Sequence, residues 1–348
     1  MSDVLPAPRF PDPRRAPSLR WGVLGPGGIA ADFTAALQRH TGQRVVAVGS
    51  RSADRATAFA ERFGIERAHG SYEALLADDE VDVVYVASPH TEHAAHALAA
   101  IAAGRHVLVE KPLAVTAAEG RRIAEAARSA GVLAMEAMWT RYLPQTDVVA
   151  QLLEQGAIGE PTLALADFAG GPATDPGSRL LDPALGGGAL LDVGVYTAWW
   201  AWFALGRPER ITATGVLAPS GIDLQAAVAL VTPSGALAHL TTGIRGRTAW
   251  RATVAGTEGR IEITPPFWGP SGLTVLDAAG DERAAWTDPY GRPGRDGLCY
   301  QAAALARLVH DGRTDSPLHS LDDAVGVLEV LDEARRQLGY VEGWGPRA

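Results

Sequence analysis

Residues Leu19–Ala30 read L-R-W-G-V-L-G-P-G-G-I-A. Leu19–Leu24 is a short, mainly apolar run suited to a buried strand, and Gly25–Ala30 matches G-x-G-x-x-A. An amphipathic helix is predicted from there to about His40, followed by a second strand at Arg44–Val48. The glycines allow a tight turn and the close approach of a pyrophosphate to the helix N-terminus, where free N–H groups and the dipole favour negative charge. Ala30 permits close packing of helix on strand. A glycine-rich turn alone is weak evidence; strand, helix and second strand in this order make it a dinucleotide-binding signal. Gly25, Gly27, Gly28 and Ile29 are therefore predicted cofactor contacts.

The end of the second strand bears on which dinucleotide is bound. An NAD site usually carries Asp or Glu there, roughly 20 residues beyond the glycines, to bind the ribose 2′-hydroxyl. This chain has Gly49-Ser50-Arg51-Ser52 instead. Ser50 and Arg51 can hydrogen-bond a 2′-phosphate that a carboxylate would repel, so NADP(H) is expected in preference to NAD(H). The competing reading makes Ser50 the start of a helix cap and Arg51 a solvated charge.

The strand–helix rhythm continues. Val81–Ala87 is a strand, Thr91–Ala103 a helix, His106–Val109 a strand, Ala117–Ser129 a helix and Val132–Met138 a strand, with a short helix at Ser71–Ala77. Alternation of this kind predicts a parallel sheet with right-handed crossovers. His106–Pro112 reads H-V-L-V-E-K-P, and Lys111 is the only lysine in a chain with 31 lysines and arginines. Arginine cannot give up its proton in a protein, whereas lysine can. Glu110 and Lys111 fall just past a strand's carboxyl end, where ligands bind in open α/β sheets. Codon bias offers a blander origin for a lone lysine, but that position argues for function.

His90, His93 and His96 are spaced for suspicion of a metal. On a helix they drift around the surface, and no Cys or carboxylate cluster completes a site, so no metal is expected. Ser88, Pro89, His90 and His93 are read as forming the turn near the cofactor, and His96 as ordinary helix surface.

A length of 348 residues suggests two domains, and 47% hydrophobic content allows a large core. The formal net charge of −9 argues against nucleic acid and anionic membrane surfaces as partners. Apolar runs of membrane-spanning length are missing; Leu185–Leu205 comes closest, but glycines and Asp192 interrupt it. One cysteine, Cys299, excludes an intrachain disulfide and fits a reducing compartment. Residues 1–18 are rich in Pro and Arg and read as a flexible arm without a removable apolar region, so a cytoplasmic location is expected.

After Met138 the pattern changes. Strands are predicted at Thr162–Phe168, Ile211–Leu217, Leu224–Thr232, Ala236–Ile244, Arg251–Ala255, Arg260–Thr264 and Leu273–Asp277, several separated by hairpin turns. Helices at Asp296–His310 and Leu321–Leu338 close the chain. The reading is an α/β protein: a Rossmann domain with a parallel sheet at 19–140, then an α+β domain with a large, mostly antiparallel sheet at 141–348. Gly186–Gly188 precedes a helical run, Ala189–Leu205, in which Asp192 and Tyr196 are four apart and share a face. Aromatic residues gather near the same motifs. Trp139, Arg141 and Phe168 are the pocket candidates, while Trp199, Trp200, Trp202 and Phe203 fit either packing or pocket.

These pieces resemble the Gfo/Idh/MocA oxidoreductases. The resemblance lies in G-P-G-G-I-A at Gly25–Ala30, S-P-H-T-E-H-A at Ser88–Ala94, G-R-H-V-L-V-E-K-P at Gly104–Pro112, G-G-G-A-L-L-D-V-G-V-Y at Gly186–Tyr196 and D-G-R-T-D-S-P at Asp311–Pro317. M-E-A-M-W-T-R-Y-L-P at Met135–Pro144 is similar to the dihydrodiol dehydrogenase and NADP-dependent sugar dehydrogenase branch. Inositol-dehydrogenase-like members usually have His where this chain has Tyr196. The resemblance implies hydride transfer between a nicotinamide and a secondary alcohol or ketone of a sugar, cyclic polyol or trans-dihydrodiol. It implies catalytic Lys111, Tyr196 and Asp192, with Trp139, Arg141, Phe168, Asp192 and Tyr196 at the substrate. It also allows a cis Lys111–Pro112 bond and implies homodimers or homotetramers formed through the C-terminal sheet. The same fold could instead serve a non-catalytic, dinucleotide-binding regulator.

Overall fold

The computed structural model describes residues 5–339 apart from 174 and 176. These fall into two compact units, one of residues 11–142 and 292–325, the other of residues 5–10, 143–291 and 326–339.

The first unit is built on a parallel sheet. Its strands are β1 (Arg20–Leu24), β2 (Arg44–Gly49), β3 (Arg67–His69), β4 (Val83–Val86), β5 (His106–Glu110) and β6 (Ala134–Ala137), in the order β3-β2-β1-β4-β5-β6. Every pairing is parallel. The order reverses direction beside β1, which makes the carboxyl ends of β1 and β4 a ligand-binding crevice. β4 and β6 are buried throughout, and β1 and β5 at all but their first residue. Helices on both faces explain why these strands read as continuous apolar runs. The helices are α1 (Gly28–His40), α2 (Ala53–Phe63), α3 (Tyr72–Leu76), α4 (His93–Ala102) and α5 (Ala117–Ala130). α2 and α5 have side-chain caps from Ser52 and Thr116 and end at Gly64 and Gly131 in the left-handed conformation.

The second unit carries α6 (Pro144–Glu154), α7 (Val195–Leu205) and an eight-stranded sheet among its described residues. The strands are β7 (Pro161–Ala169), β8 (Arg210–Leu217), β9 (Asp223–Val231), β10 (Leu237–Gly243), β11 (Ala252–Gly256), β12 (Gly259–Ile263), β13 (Gly272–Asp277) and β14 (Glu282–Thr287), ordered β14-β13-β12-β11-β7-β10-β9-β8. All pairings are antiparallel except β7 with β10. Burial alternates along β9 and β10, as expected of a sheet with one face covered.

The tail assigned wholly to the second domain is divided: α8 (Leu298–His310) belongs to the first unit, and the division falls within α9 (Leu321–Gln337), between Val325 and Gly326. The described part of the N-terminal arm is not loose. In the second unit, Arg9 donates from its backbone N–H and Nε to Asp147, at 2.6 and 2.9 Å, and pairs with Glu154. In the first unit, Arg307 donates to Asp12 O at 2.9 Å and Ala16 packs with Ala303 and Ala306 on α8. Polar and apolar contacts together hold a segment whose composition suggested mobility.

Candidate active site

At the end of β1, Gly25 has φ 94°, and a Cβ there would lie 3.0 Å from Ala87 O, so both the turn and the approach of the next strand require glycine. A Cβ built on Gly27 or Gly28 meets nothing within 4 Å. Gly27 caps α1 without a side-chain hydrogen bond, and the first turn contains no acidic residue. The helix N-terminus without a side-chain cap and the clear space around Gly27 and Gly28 fit the pyrophosphate of a dinucleotide.

Ser50 is 3% exposed, and its Oγ accepts from the Ser52 N–H at 3.2 Å. Arg51 is exposed. His96, read from sequence as helix surface, belongs to this corner instead. Its Nδ1 lies 2.9 Å from Ser88 Oγ, and its ring packs edge-on against Tyr72 at 4.7 Å. Burial holds its imidazole below the ordinary value, opposed by Glu92 and reinforced by the positive charge of Arg51.

Lys111 stands at the end of β5, before a cis peptide bond to Pro112. Three side chains fix the backbone around it. Glu110 Oε2 accepts the Lys111 N–H at 3.2 Å, His93 Nδ1 lies 2.8 Å from Pro112 O, and Glu136 Oε1 accepts the Leu113 N–H at 2.7 Å. Glu110 is buried and accepts the Tyr85 hydroxyl at 2.5 Å. Burial pushes its carboxyl up, against the pull of Tyr85 and the positive charge of Lys111. His93 is fully buried, with Nε2 2.9 Å from Ser88 O. Both its nitrogens face main-chain carbonyls, so the ring ties the turn after β4 to the turn after β5. The rings of His90 and His93 meet edge-on at 5.5 Å. Among the described residues no group of three His, Cys, Asp or Glu is placed to hold a metal ion. Trp139 is 1% exposed, with the Arg295 guanidinium 5.4 Å from its ring centre. Arg141, a substrate candidate in the sequence, is also buried, and its Nε donates to Leu318 O at 2.9 Å.

In the second unit, a Cβ on Gly187 would lie 2.6–2.9 Å from the carbonyls of Leu180, Asp182 and Arg179. The triple glycine therefore serves a sharp turn against its own backbone. The helical run expected at Ala189–Leu205 is not regular: Leu190–Gly194 is a π-helical turn that leads into α7. Its wider turn carries Asp192, which accepts Arg179 Nη2 at 2.7 Å. Tyr196 is 4% exposed, and its ring centre lies 5.5 Å from that of Phe168. Phe168 stacks on Trp268 at 5.2 Å with 6° between planes and meets Trp250 at 5.8 Å. By contrast, Trp199 and Trp200 are buried in ring contacts with Phe203.

The chain matches the oxidoreductase family model with an NAD-binding Rossmann fold over residues 19–138 and the GFO/IDH/MocA C-terminal domain over residues 147–262. It is 37% identical over 331 residues to trans-1,2-dihydrobenzene-1,2-diol dehydrogenase of Danio rerio, covering 93% of this chain and 98% of that protein. The Sus scrofa enzyme of that name is 34% identical, with 92% and 97% covered. This chain belongs to the Gfo/Idh/MocA family of oxidoreductases. Among solved structures, a variant of KijD10, a 3-ketoreductase from Actinomadura kijaniata in complex with TDP-benzene and NADP, superimposes with a TM-score of 0.80 at 30% identity. That match covers 92% of this chain and 98% of the other.

In this Gfo/Idh/MocA oxidoreductase, Trp250 and Trp268 also border Phe168, though no sequence motif marks them. Trp250 has φ 61°, unusual for a residue with a bulky side chain. Asp167 holds it there by accepting the N–H groups of Trp250 at 2.8 Å and Arg251 at 3.1 Å. Trp268 lies in P-P-F-W-G-P, Pro265–Pro270. An aromatic pair in a proline-rich turn was the available signal, but sequence alone does not place that turn beside Phe168. Glu136 and His319 also meet, an acid in a strand and a histidine in a distant loop that share no spacing rule in the sequence.

Proposed function

We propose that this oxidoreductase transfers hydride between NADP(H) and a secondary alcohol or ketone of a sugar, cyclic polyol or trans-dihydrodiol. The observation that carries the reading is the fixed Lys111 segment at the end of β5, in the sheet whose β1 ends in an open glycine turn. When bound, the nicotinamide supplies the hydride chemistry. Gly25, Gly27, Gly28 and Ile29 hold the pyrophosphate, Ser50 and Arg51 the 2′-phosphate, and Ser88, Pro89 and His90 border the cofactor. In oxidation the substrate hydroxyl loses its proton as its carbon loses hydride. Tyr196 takes that proton, and the Lys111 ammonium stabilises the developing alkoxide. Asp192 orients the polar groups around the reacting hydroxyl. Lys111 itself is the alternative proton acceptor. Phe168 and Trp139 provide apolar faces for a ring-shaped substrate.

The named relatives act on a dihydrobenzenediol, and the ketoreductase structure contains NADP, which supports this substrate class and cofactor. The reading also includes a cytoplasmic location, supported by a lone buried cysteine, Cys299, whose thiol burial pushes up to about 12. No helix among the described residues is long and apolar enough to cross a membrane. The test is nicotinamide absorbance across aldoses, 1,2-dicarbonyls and trans-dihydrodiols with each cofactor. Turnover with a higher kcat/KM for NADP(H) than NAD(H) is expected. Cofactor binding without turnover across the panel would favour the regulatory alternative, and a preference for NAD(H) would overturn the 2′-phosphate assignment.

A further inference from the structure

We propose that the buried Glu136–His319 pair is a positioning device for Lys111, through which the segment after the Asp311–Pro317 motif governs turnover. The end of that motif is tightly held. Asp315 Oδ1 accepts the N–H groups of Ser316 at 2.8 Å and Leu321 at 3.0 Å. Ser316 Oγ lies 2.9 Å from the Tyr142 hydroxyl, and Arg141 Nε donates to Leu318 O at 2.9 Å. His319, between these anchors, places Nε2 2.7 Å from Glu136 Oε2. The other oxygen of the same carboxylate accepts the Leu113 N–H at 2.7 Å.

Side-chain exposures of 3% for His319 and 1% for Glu136 put the pair in the interior of the first unit. Burying a carboxylate and an imidazole is a poor means of stabilising a fold, because desolvation offsets most of their attraction. What the pair supplies is direction. With one oxygen held by His319, the other is aimed at a single backbone N–H. Leu113 is separated from Lys111 only by Pro112, whose ring fixes its φ, so a displacement of Leu113 passes to the lysine with little damping. A misplacement of about 1 Å can cost about a hundredfold in rate.

The inference rests on a catalytic Lys111, and a double-mutant cycle separates the two claims. Glu136→Ala is expected to lower kcat about tenfold or more while the Kd for NADPH changes less than about twofold. Glu136→Gln, which keeps an acceptor for Leu113, is expected to recover most of that loss. In a Lys111→Met background, Glu136→Ala should cost less than about twofold in kcat. The full Glu136→Ala loss in both backgrounds, or equal losses in kcat and NADPH affinity, overturns the inference and leaves the role of Lys111 standing. A Lys111→Met loss below about tenfold overturns both. If Glu136→Ala does not fold, His319→Ala, which leaves the Leu113 bond in place, enters the same cycle with the same criteria.

Discussion

At the carboxyl ends of β4 and β5 one imidazole joins two turns, and burial opposes its protonation there. His93 faces the carbonyls of Ser88 and Pro112, and both contacts favour the charged ring. Complete burial outweighs them and lowers the group from 6.5 to about 4. In the unfolded chain the ring takes up a proton near 6.5, and in the folded chain not until about 4. The contribution of His93 to stability is thus fully present above pH 6.5 and is lost as pH falls toward 4. Thermal melts of wild type and His93→Gln should diverge least at pH 4 and most above 6.5; parallel curves would contradict the account. The glycines of the α1 turn, Lys111, Asp192 and Tyr196 stand out in the sequence because their residue types are chemically distinctive. His93 and Glu136 act through main-chain partners, and only the fold reveals those.

Elements differ in how openly the sequence displays them. The strands β1, β4 and β5 are continuous apolar runs and fix the parallel sheet. α2 is harder to see because its buried stripe consists of Ala56, Phe59 and Ala60, with one large side chain among them. α6 begins with Pro144 in its first turn, a residue as common at a helix start as after a helix end. β3 has three residues, too few to show alternation, and β14 is a largely exposed edge strand. Proline content suggests a mobile arm but says nothing about a specific acceptor. Asp147, with a side chain 1% exposed, is that acceptor on α6. The exposed Arg9–Glu154 pair should contribute little, whereas losing a partner of the buried carboxylate should cost roughly 1–3 kcal/mol. Arg9→Ala is expected to lower the denaturation midpoint accordingly and Glu154→Ala to leave it nearly unchanged; equal effects would contradict this assignment.

At the scale of the whole molecule, the eight-stranded sheet carries exposed apolar side chains. Leu165, Leu237 and Val216 are 41–45% exposed, and the strand register places them on one face of the eight-stranded sheet. Such a face suits a second copy of the chain, in keeping with sheet-mediated oligomers. Leu165→Asp should shift the sedimentation coefficient toward that of a monomer; a wild-type chain already monomeric at micromolar concentration would contradict the proposal. The central claim is that Lys111 acts in the chemical step and not in binding the coenzyme. The direct measurement is steady-state kcat for Lys111→Met on the substrate turned over best, alongside the NADPH Kd from fluorescence titration. A fall of roughly a hundredfold or more in kcat with NADPH binding preserved is predicted. A kcat within about tenfold of wild type would contradict it.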